Sequence, residues 1–563
     1  MEPSSTINTQ LHNRFETDHT LTDQNGISGL PLAGSPQSSS FTQHPLNGSA
    51  PSTTGVIPPE HPFRTLVLCF DGTGDQFDND NSNIVQLFSM LHKGDRSRQM
   101  VYYQAGIGTY TSPQIATPFW SKISKVNPSR LVSGTAGSFV FSYWTKASLC
   151  PWMLMLWASG YEFLMQNCAY CFFSHVFADL KPIQIPPTIV FVFFGFSRGA
   201  YTARSLAGMI HKVGLLPADN HQQIPFAYKM YTNNTEVGWD QSNAFKKAFS
   251  IDVDIEFVGV WDTVNSVGIF PRRLPFTTSN TIIRTFRHAV SLDERRAKFK
   301  ANLWNRPNEQ EQTLSISDQK APQAKHSHPP KKVSQVQIER RYSRDRSQAT
   351  DIDEVWFAGC HCDVGGGSVD NDVVQNLARI PLRWMIRECF KTNSGIMFTC
   401  EGLRSIGLDP DKLYPDVAPR PPALPLGNLR IQSIPSSKQQ SKKQAEVALI
   451  NFADGETTSP THKTEEELDL LDSICPIYDQ LSLSWPWWIL EFFPIKQRYQ
   501  KGDNSWVAFL GWNMGKGRFI PKQKTNGVRV HRSVKTRLEA QTESGGKYEP
   551  KAAFDLERTT WVD

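Results

Sequence analysis

The sequence predicts an α/β fold in which helices flank a mostly parallel central sheet, and three observations lead to it. Four apolar runs rich in β-branched and aromatic residues each stop at a polar residue that is followed by glycines or a turn. Segments with helical spacing lie between the runs, such as Ile84, Leu87 and Phe88 after the first. Strands that alternate with helices form parallel sheets, and ligands bind at the carboxyl ends of their strands.

The first run, Leu66 to Phe70, ends at Asp71 in "FDGTGD". This glycine-rich turn is not a phosphate loop, because no Lys-Ser/Thr pair follows its glycines. The amides of Thr73 and Gly74 are instead candidate donors to an oxyanion, since the turn follows a strand. Asp71 could orient this turn, bind a cation together with Asp363, or only terminate the strand.

The second run opens "IVFVFFGFSRGAYTARSL", from Ile189 to Leu206. A tight strand-to-helix turn can contain a serine by chance. However, the pattern G-x-S-x-G at such a junction is typical of a nucleophile elbow, which lifts the hydroxyl of Ser197 into a cleft. The amide of Arg198, directly after the serine, is then one oxyanion donor.

The third and fourth runs supply an acid and a base. A strand through Val260 leads to Asp262, and "DEVWFAGCHCDVGGG" is expected to be a strand that carries His361 and Asp363 onto three glycines. Ser197, Asp262 and His361 follow one another in the chain order of the α/β-hydrolases. In such a triad the histidine accepts the serine proton and the acid holds its other ring nitrogen. Alternatively, Asp262 could cap a turn and His361 could be a buried histidine satisfied by its neighbours.

His288 in "FRHAVSLDERR" is the alternative base. It lies in a run predicted to be helical, in which residues 293–296 would form an ion-paired face, and we favour His361. The pattern "CHCD" around His361 suggests a metal site. Neighbouring residues on an extended strand point to opposite faces, however, so these side chains would not reach one ion and no metal site is expected.

Composition predicts how the chain is organised. Residues 1–59 are rich in Ser, Thr, Pro, Asn and Gln and are predicted to be a disordered tail. A catalytic domain is expected over 60–400, interrupted by a flexible insertion over 306–350. A linker-rich segment over 401–475 and an extension over 476–563 that packs on the hydrolase domain would follow.

Charge and cysteine content restrict the partners. A net charge of +5, from 59 basic and 54 acidic residues, is too small to indicate nucleic-acid binding. The nine cysteines are scattered without paired zinc spacing, which favours a reducing compartment such as the cytoplasm. No basic patch and apolar run open the chain, so no secretory signal is expected. We also expect no redox or nucleotide cofactor.

One segment could contact a membrane. The stretch "LCPWMLMLWASGYEFLM", residues 149–165, is slightly short for a spanning helix and is interrupted by Pro151 and Gly160. A buried helix pair with the following "CAYCFFSHVFADL" is favoured over a membrane span. Peripheral membrane contact through 149–165 remains an alternative.

Five motifs in order resemble a family of α/β-hydrolase domains of largely undefined function: "FDGTG", "GFSRGAYTARSLAG", "GVWDTV", "HAVSLDERRAKF" and "VWFAGCHCDVGGG". That family is related to the catalytic domain of bacterial type VI secretion lipase effectors and is common in fungi. The resemblance covers roughly 64–398 and implies a Ser-Asp-His hydrolase with phospholipase-like activity. Ser197 matches its nucleophile and His361 its base, and Asp262 is the candidate acid. Over 127–158 and 168–187, apolar aromatic-rich stretches replace the expected amphipathic helix and polar turn.

These observations predict a serine hydrolase that acts on carboxylic esters, with lipids or phospholipids as substrates. Two alternatives belong to other classes. One is a catalytically silent hydrolase-fold protein that binds a ligand, which the atypical segments before the elbow would favour if they disrupted its helix. The other is a membrane-associated protein held by residues 149–165.

Overall fold

Strands form where the sequence has its apolar runs. The computed structural model of the protein describes residues 55–106, 151–168, 189–264, 273–305, 335, 338–339, 342–343, 349–434, 463–500, 506–521 and 523–563. In chain order, the strands whose bounds are described are β1 (Val56–Ile57), β2 (Arg64–Phe70), β3 (Gln99–Gln104), β4 (Ile189–Phe196), β5 (Ile255–Trp261), β6 (Ile283–Ser291), β7 (Asp351–Phe357), β8 (Phe398–Thr399), β9 (Ile495–Gln500), β10 (Trp506–Gly511), β11 (Val528–His531) and β12 (Thr559–Val562).

Eight of these strands form one sheet in the order β12-β11-β7-β6-β5-β4-β2-β3. Every neighbouring pair in it is parallel. The remaining strands make two short antiparallel pairs, β1 with β8 and β9 with β10. The prediction of an α/β fold with a mostly parallel sheet is therefore confirmed.

Helices cover both faces of this sheet. In chain order, those whose bounds are described are α1 (Asn83–Met90), α2 (Pro151–Asn167), α3 (Ser197–Val213), α4 (Ile224–Thr232), α5 (Glu236–Phe249), α6 (His361–Gly365), α7 (Arg379–Lys391), α8 (Cys400–Ser405), α9 (Glu465–Ser473), α10 (Gln480–Leu483), α11 (Trp487–Glu491), α12 (Gln523–Asn526) and α13 (Arg532–Glu539). Single-turn 3-10 helices occur at His221–Gln223, Pro410–Lys412 and Leu556–Arg558.

Alternation along the strands divides the core into two layers. In β2, Leu66, Leu68 and Phe70 pack in one buried cluster with residues of α2, α3 and α4. The intervening Val67 and Cys69 pack in a second cluster with residues of α1, α7 and α8. Successive side chains of a strand point to opposite faces, so a strand buried on both sides is apolar throughout.

The strand order reverses next to β2. Strand β3 lies on one side of β2, whereas β4 and then β5 to β7 lie on the other. Helices α1 and α3, which follow β2 and β4, consequently pack on opposite faces. Such a reversal separates the loops at the strand ends and opens a crevice there. The turn after Phe70 and the turn at Ser197 both lie at this point.

Two local predictions are wrong. His288 lies on strand β6 and not on a helix. The strand before His361 ends at Phe357, and His361 is the first residue of the short helix α6. The argument that residues 360–363 alternate across an extended strand therefore does not apply. A central parallel strand is buried on both faces and loses the period-two pattern, which explains the first error.

The described part of the apolar segment before the elbow forms a long helix, α2. Near its end Tyr161, Leu164 and Met165 are fully buried against the sheet and α3. Apart from Cys168, the partner helix expected in "CAYCFFSHVFADL", residues 168–180, lies outside the described residues. Among the helices that are described, none combines the length and the apolar character needed to cross a membrane. Helix α3 itself runs without interruption from Ser197 to Val213.

Other predicted segments are described only in part. Residues 1–54, most of 306–350, and residues 435–462 of the linker-rich segment lie outside the described residues. Helix α9 at the end of that segment is anchored by buried ion pairs from Arg383 to Asp469 and Asp472. The C-terminal region adds β11 and β12 to the edge of the sheet. All seven cysteines of the described residues are free thiols.

We expect Gly199→Ala to destabilise the fold by on the order of 3 kcal/mol. A Cβ atom at this position would lie 2.3 Å from the carbonyl oxygens of both Phe70 and Asp71, so helix α3 would have to move away from β2. The check is the thermal unfolding midpoint followed by circular dichroism. Gly55→Ala is the control, because no heavy atom lies within 4 Å of its added Cβ. Equal midpoints for the two variants would contradict the argument.

Candidate active site

Ser197 is the first residue of α3, at the sharp turn where the chain passes from β4 into this helix. Its backbone φ is 58°, in the left-handed region that non-glycine residues seldom adopt. The glycines on either side are required by close contacts. A Cβ at Gly195 would lie 2.5 Å from the Cα of Ala200, and one at Gly199 would meet the end of β2. The turn therefore holds Ser197 in one strained conformation, with its side chain at the carboxyl edge of the sheet.

A chain of two short hydrogen bonds joins the predicted triad. The Nε2 of His361 lies 2.7 Å from the Oγ of Ser197, and its Nδ1 lies 2.5 Å from Oδ2 of Asp262. All three side chains are buried, with exposed fractions of 5%, 3% and 0% for Ser197, His361 and Asp262. Since the carboxylate can only accept, Nδ1 carries the proton and Nε2 is free to accept from the serine.

Helix α6 and two aromatic rings position His361. The helix begins at His361, and Asp363 closes a capping box with the backbone of Cys360. The imidazole packs between the rings of Phe196 and Phe299, each with its centroid 4.8 Å away. Tight packing of this kind limits the ring to one rotamer.

Asp262 has a second charged partner besides the histidine. The guanidinium of Arg518 makes a bidentate contact with both carboxylate oxygens, the Nη2–Oδ2 distance being 2.8 Å. Arg518 also donates to the hydroxyl and carbonyl of Ser291 and to the carbonyl of Phe299. The amide of Ser291 donates to Oδ1 of Asp262 at 3.0 Å. Each carboxylate oxygen of this buried group thus accepts at least two hydrogen bonds.

These contacts determine the protonation of the two groups. Burial would raise the pKa of Asp262, but Arg518 and then His361 outweigh it and hold the pKa well below its usual range. Burial lowers the pKa of His361 below 6.5, and the hydrogen bond and charge of Asp262 offset this only in part. His361 is therefore neutral at pH 7, the form that can accept a proton from Ser197.

The predicted oxyanion loop packs against the same turn. Asp71 accepts hydrogen bonds from the Ser82 hydroxyl at 2.6 Å, from the Tyr103 hydroxyl at 2.7 Å and from the Gly72 amide at 2.8 Å. Its carboxylate thus orients the loop at the end of β2 and supports Ser82, the N-cap of α1. The Thr73 hydroxyl is buried and has no partner among the described residues. Gly74 adopts a φ of 85°.

Asp363 has a separate set of partners. Its Oδ2 accepts from the amides of Cys360 at 2.8 Å and Tyr478 at 3.0 Å. Burial raises its pKa to about 7, although these hydrogen bonds oppose the shift. The structure therefore does not bring Asp71 and Asp363 together on one site. Within the described residues no group of three or more His, Cys, Asp or Glu side chains is arranged to hold a metal ion.

His288 is buried and satisfied at both ring nitrogens. Its Nδ1 lies 2.9 Å from Oε1 of Glu354, and its Nε2 accepts from the amide of Thr263 at 3.1 Å. The ring therefore links β6 and β7 to the segment that follows β5. The structure places His361, and not His288, within hydrogen-bond distance of Ser197.

Sequence reasoning missed three charged residues around the site. Arg518 is separated from Asp262 by 256 positions, and no local pattern marks it. Glu294, taken as part of a helical ion-paired face, is instead a buried partner of Arg296 that also accepts from the amide of His361 at 3.4 Å. Burial raises the pKa of Asp75 to about 8, with further contributions from nearby carboxylates. In the sequence, Asp75 could have been found from its place directly after the Gly-rich turn "DGTG".

Residues 64–388 match the family model of the catalytic domain of Tle1-like phospholipase effectors of the type VI secretion system. This range is more than half of the 563 residues of the chain. An uncharacterized protein of Saccharomyces cerevisiae, YEL023C, is 27% identical over a 607-residue alignment that covers 88% of this chain and 80% of the yeast protein. A similar protein thus occurs in a fungus.

Two solved structures are similar to parts of this one. An uncharacterized protein from Pseudomonas aeruginosa has a TM-score of 0.34 and 15% identity, covering 79% of this chain and 70% of that protein. The Tle1 effector bound to the VgrG spike of the type 6 secretion system has a TM-score of 0.24 and 15% identity, with 54% of this chain and 51% of that chain covered.

Replacing Arg518 should raise the pKa of His361 and so change the pH dependence of any reaction in which that histidine is the base. In Arg518→Met the negative charge of Asp262 is no longer neutralised, so it stabilises protonated His361 more strongly and raises the pKa of that histidine. The acid limb of kcat/KM should then move up by about one pH unit, whereas Arg518→Lys should stay close to the parent. The measurement is kcat/KM for a soluble short-chain ester as a function of pH.

Arg383→Met is the matched control, because it breaks another buried ion pair, with Asp469 and Asp472, that makes no contact with the triad. Both Met variants should lose roughly 3–5 kcal/mol of stability. Only Arg518→Met should shift the acid limb. An unchanged limb in folded Arg518→Met would show that the guanidinium does not act on the histidine.

Proposed function

Since the chain belongs to the family of Tle1-like phospholipase effector catalytic domains, we propose that it hydrolyses carboxylic ester bonds of phospholipids with Ser197 as nucleophile. The hydrogen-bonded chain Ser197–His361–Asp262 supports this proposal most directly. It unites a hydroxyl, a neutral imidazole and a buried carboxylate in the arrangement that activates a serine.

In the first half of the reaction the Oγ of Ser197 attacks the ester carbonyl carbon while its proton passes to Nε2 of His361. The imidazolium that forms is stabilised by Asp262, which stays ionised. As the tetrahedral intermediate collapses, His361 returns the proton to the leaving alcohol. The alcohol departs, and the acyl group remains bound to Ser197.

Water completes the cycle. The oxygen of a water molecule attacks the acyl carbon while Nε2 of His361 accepts a proton from that water. The second intermediate collapses, the proton moves to the Oγ of Ser197, and the fatty acid is released. The net reaction consumes one water and needs no redox or nucleotide cofactor.

The negative charge that develops on the carbonyl oxygen requires donors that are already in place. The amide of Arg198 and the Gly-rich turn with Thr73 and Gly74 are the proposed donors. The turn packs closely on the elbow: a Cβ atom at Gly72 would touch the ring of Phe196, the residue before Ser197. The unpaired Thr73 hydroxyl is well suited to this task, since a bound oxyanion would supply the acceptor that it lacks within the described residues.

We expect Ser197→Ala and His361→Ala each to lose several orders of magnitude in kcat, and the double variant to lose little more. Members of a triad act as one unit, because either single loss already stops proton transfer. The measurement is the rate of hydrolysis of a short-chain ester and of phosphatidylcholine. Labelling by a fluorophosphonate probe should disappear in Ser197→Ala.

The control for the histidine is His288→Gln. This side chain can replace one of the hydrogen bonds within the sheet, so the variant should keep most of its activity and lose mainly stability. A folded His361→Ala protein with near-parental turnover would remove His361 from the mechanism. Absence of both turnover and labelling in the folded parent would favour a catalytically silent binding protein.

A further inference from the structure

The exposed apolar side chains of the protein are concentrated in one stretch. Of the 20 large hydrophobic residues that are exposed in the described part of the chain, ten lie between positions 483 and 519. Eight of them define what we call the exposed aromatic surface: Leu483, Trp485, Ile489, Phe492, Phe493, Leu510, Trp512 and Met514. Trp485 is 67% exposed, Phe492 60% and Leu510 71%. Apolar exposure on this scale marks an interaction site more often than chance.

Buried polar contacts hold this surface together. The carboxylate of Glu491, at the end of α11, accepts from the amides of Ala297 at 2.5 Å and Gly515 at 2.9 Å and from the side chain of Asn513 at 2.5 Å. Asn513 in turn donates to the carbonyl of Arg295 at 2.7 Å. The hairpin of β9 and β10 is thereby joined to the helical turn and to the segment after β6. These buried hydrogen bonds consequently hold in place the backbone that carries the exposed aromatic rings.

The helix α11, which carries part of this surface, lies next to the candidate active site. The ring of Trp487 in α11 meets Phe299 edge to face at a centroid distance of 5.6 Å. Phe299 also packs edge to face on His361 at 4.8 Å. The guanidinium of Arg296 lies over both aromatic rings. The rings of Trp487 and Phe299 therefore connect α11, which carries part of the exposed aromatic surface, to the imidazole.

The charge of the sequence in this stretch favours an anionic partner. From 483 to 519 the sequence has five basic residues, Lys496, Arg498, Lys501, Lys516 and Arg518, against two acidic ones, Glu491 and Asp503. Arg518 and Glu491 are buried, whereas Lys516 is exposed. Tryptophan and phenylalanine flanked by lysine and arginine are the residues that settle at the interface of a bilayer with anionic headgroups.

We propose that the exposed aromatic surface docks the protein on a phospholipid bilayer that contains anionic lipids. This inference rests on the proposed function, because a hydrolase of phospholipids must reach its substrate in an aggregate. It differs from the alternative of membrane contact at residues 149–165, whose described end is buried at Tyr161, Leu164 and Met165. Docking would place the lipid face next to Trp487, whose ring contacts Phe299 and through it His361.

The test is binding of the full chain to sedimented vesicles of phosphatidylcholine with and without phosphatidylserine. The parent protein carries Ser197→Ala, so that binding is measured without hydrolysis. Adding Trp485→Ser, Phe492→Ser and Phe493→Ser should weaken binding to the phosphatidylserine vesicles by roughly tenfold or more. The matched control adds Phe226→Ser and Val237→Ser, which change exposed apolar residues on α4 and α5. This control should bind as the parent does.

A second measurement separates this inference from the proposed function. With Ser197 restored, the three substitutions should leave turnover of a soluble short-chain ester within about twofold while lowering the rate on vesicles. Vesicle binding that is sensitive to the substitutions in a protein without esterase activity would refute the hydrolase but support the docking surface. Equal vesicle binding by the triple variant and the control would overturn the docking surface. A dimer that the substitutions convert to monomers, without vesicle binding, would assign the surface to a second copy and also overturn it.

Discussion

The buried carboxylate of Asp262 is the group on which the candidate site depends. Asp262 directly follows strand β5. Its carboxylate accepts a hydrogen bond from the amide of Ser291 at the end of β6 and contacts both His361 and Arg518. Four segments that are distant in sequence meet there in the absence of solvent. An ionised carboxylate without partners would cost several kcal/mol at such a position. Through its ion pair with Arg518, Asp262 therefore also links the sheet to the C-terminal region.

Different forces position the serine and the histidine. Ser197 is placed by steric contacts, because Gly195 and Gly199 allow helix α3 to start directly against the end of β2. His361 is placed by ring packing and by its hydrogen bond to a carboxylate that is neutralised from the other side. The segment that carries Arg518 also carries Met514 of the exposed aromatic surface. The candidate site and the proposed lipid contact are therefore supported by the same segment of the chain.

The fold was predictable where local patterns and global topology agree. Apolar runs that end at Asp71 and Ser197 correctly indicated parallel strands, because strands buried on both faces need continuous apolar sequence. The same property explains the wrong prediction of a helix at His288. Its strand does not alternate between apolar and polar residues, so the pattern could not distinguish a strand from a helix. The strand before His361 was extended too far, since Gly359, with a φ of 110°, already turns the chain before α6 begins.

The sequence by itself determined the class of fold, the strained serine turn and the small set of polar residues at the strand ends. These features depend on contacts between near neighbours in the chain, which local composition encodes. Only the tertiary structure decided which histidine faces Ser197, across a separation of 164 residues, and that Arg518 neutralises Asp262 from 256 positions away. Such pairs are set by the order of strands in the sheet and by the return of the C-terminal chain to its edge. No periodicity along the sequence records either of them.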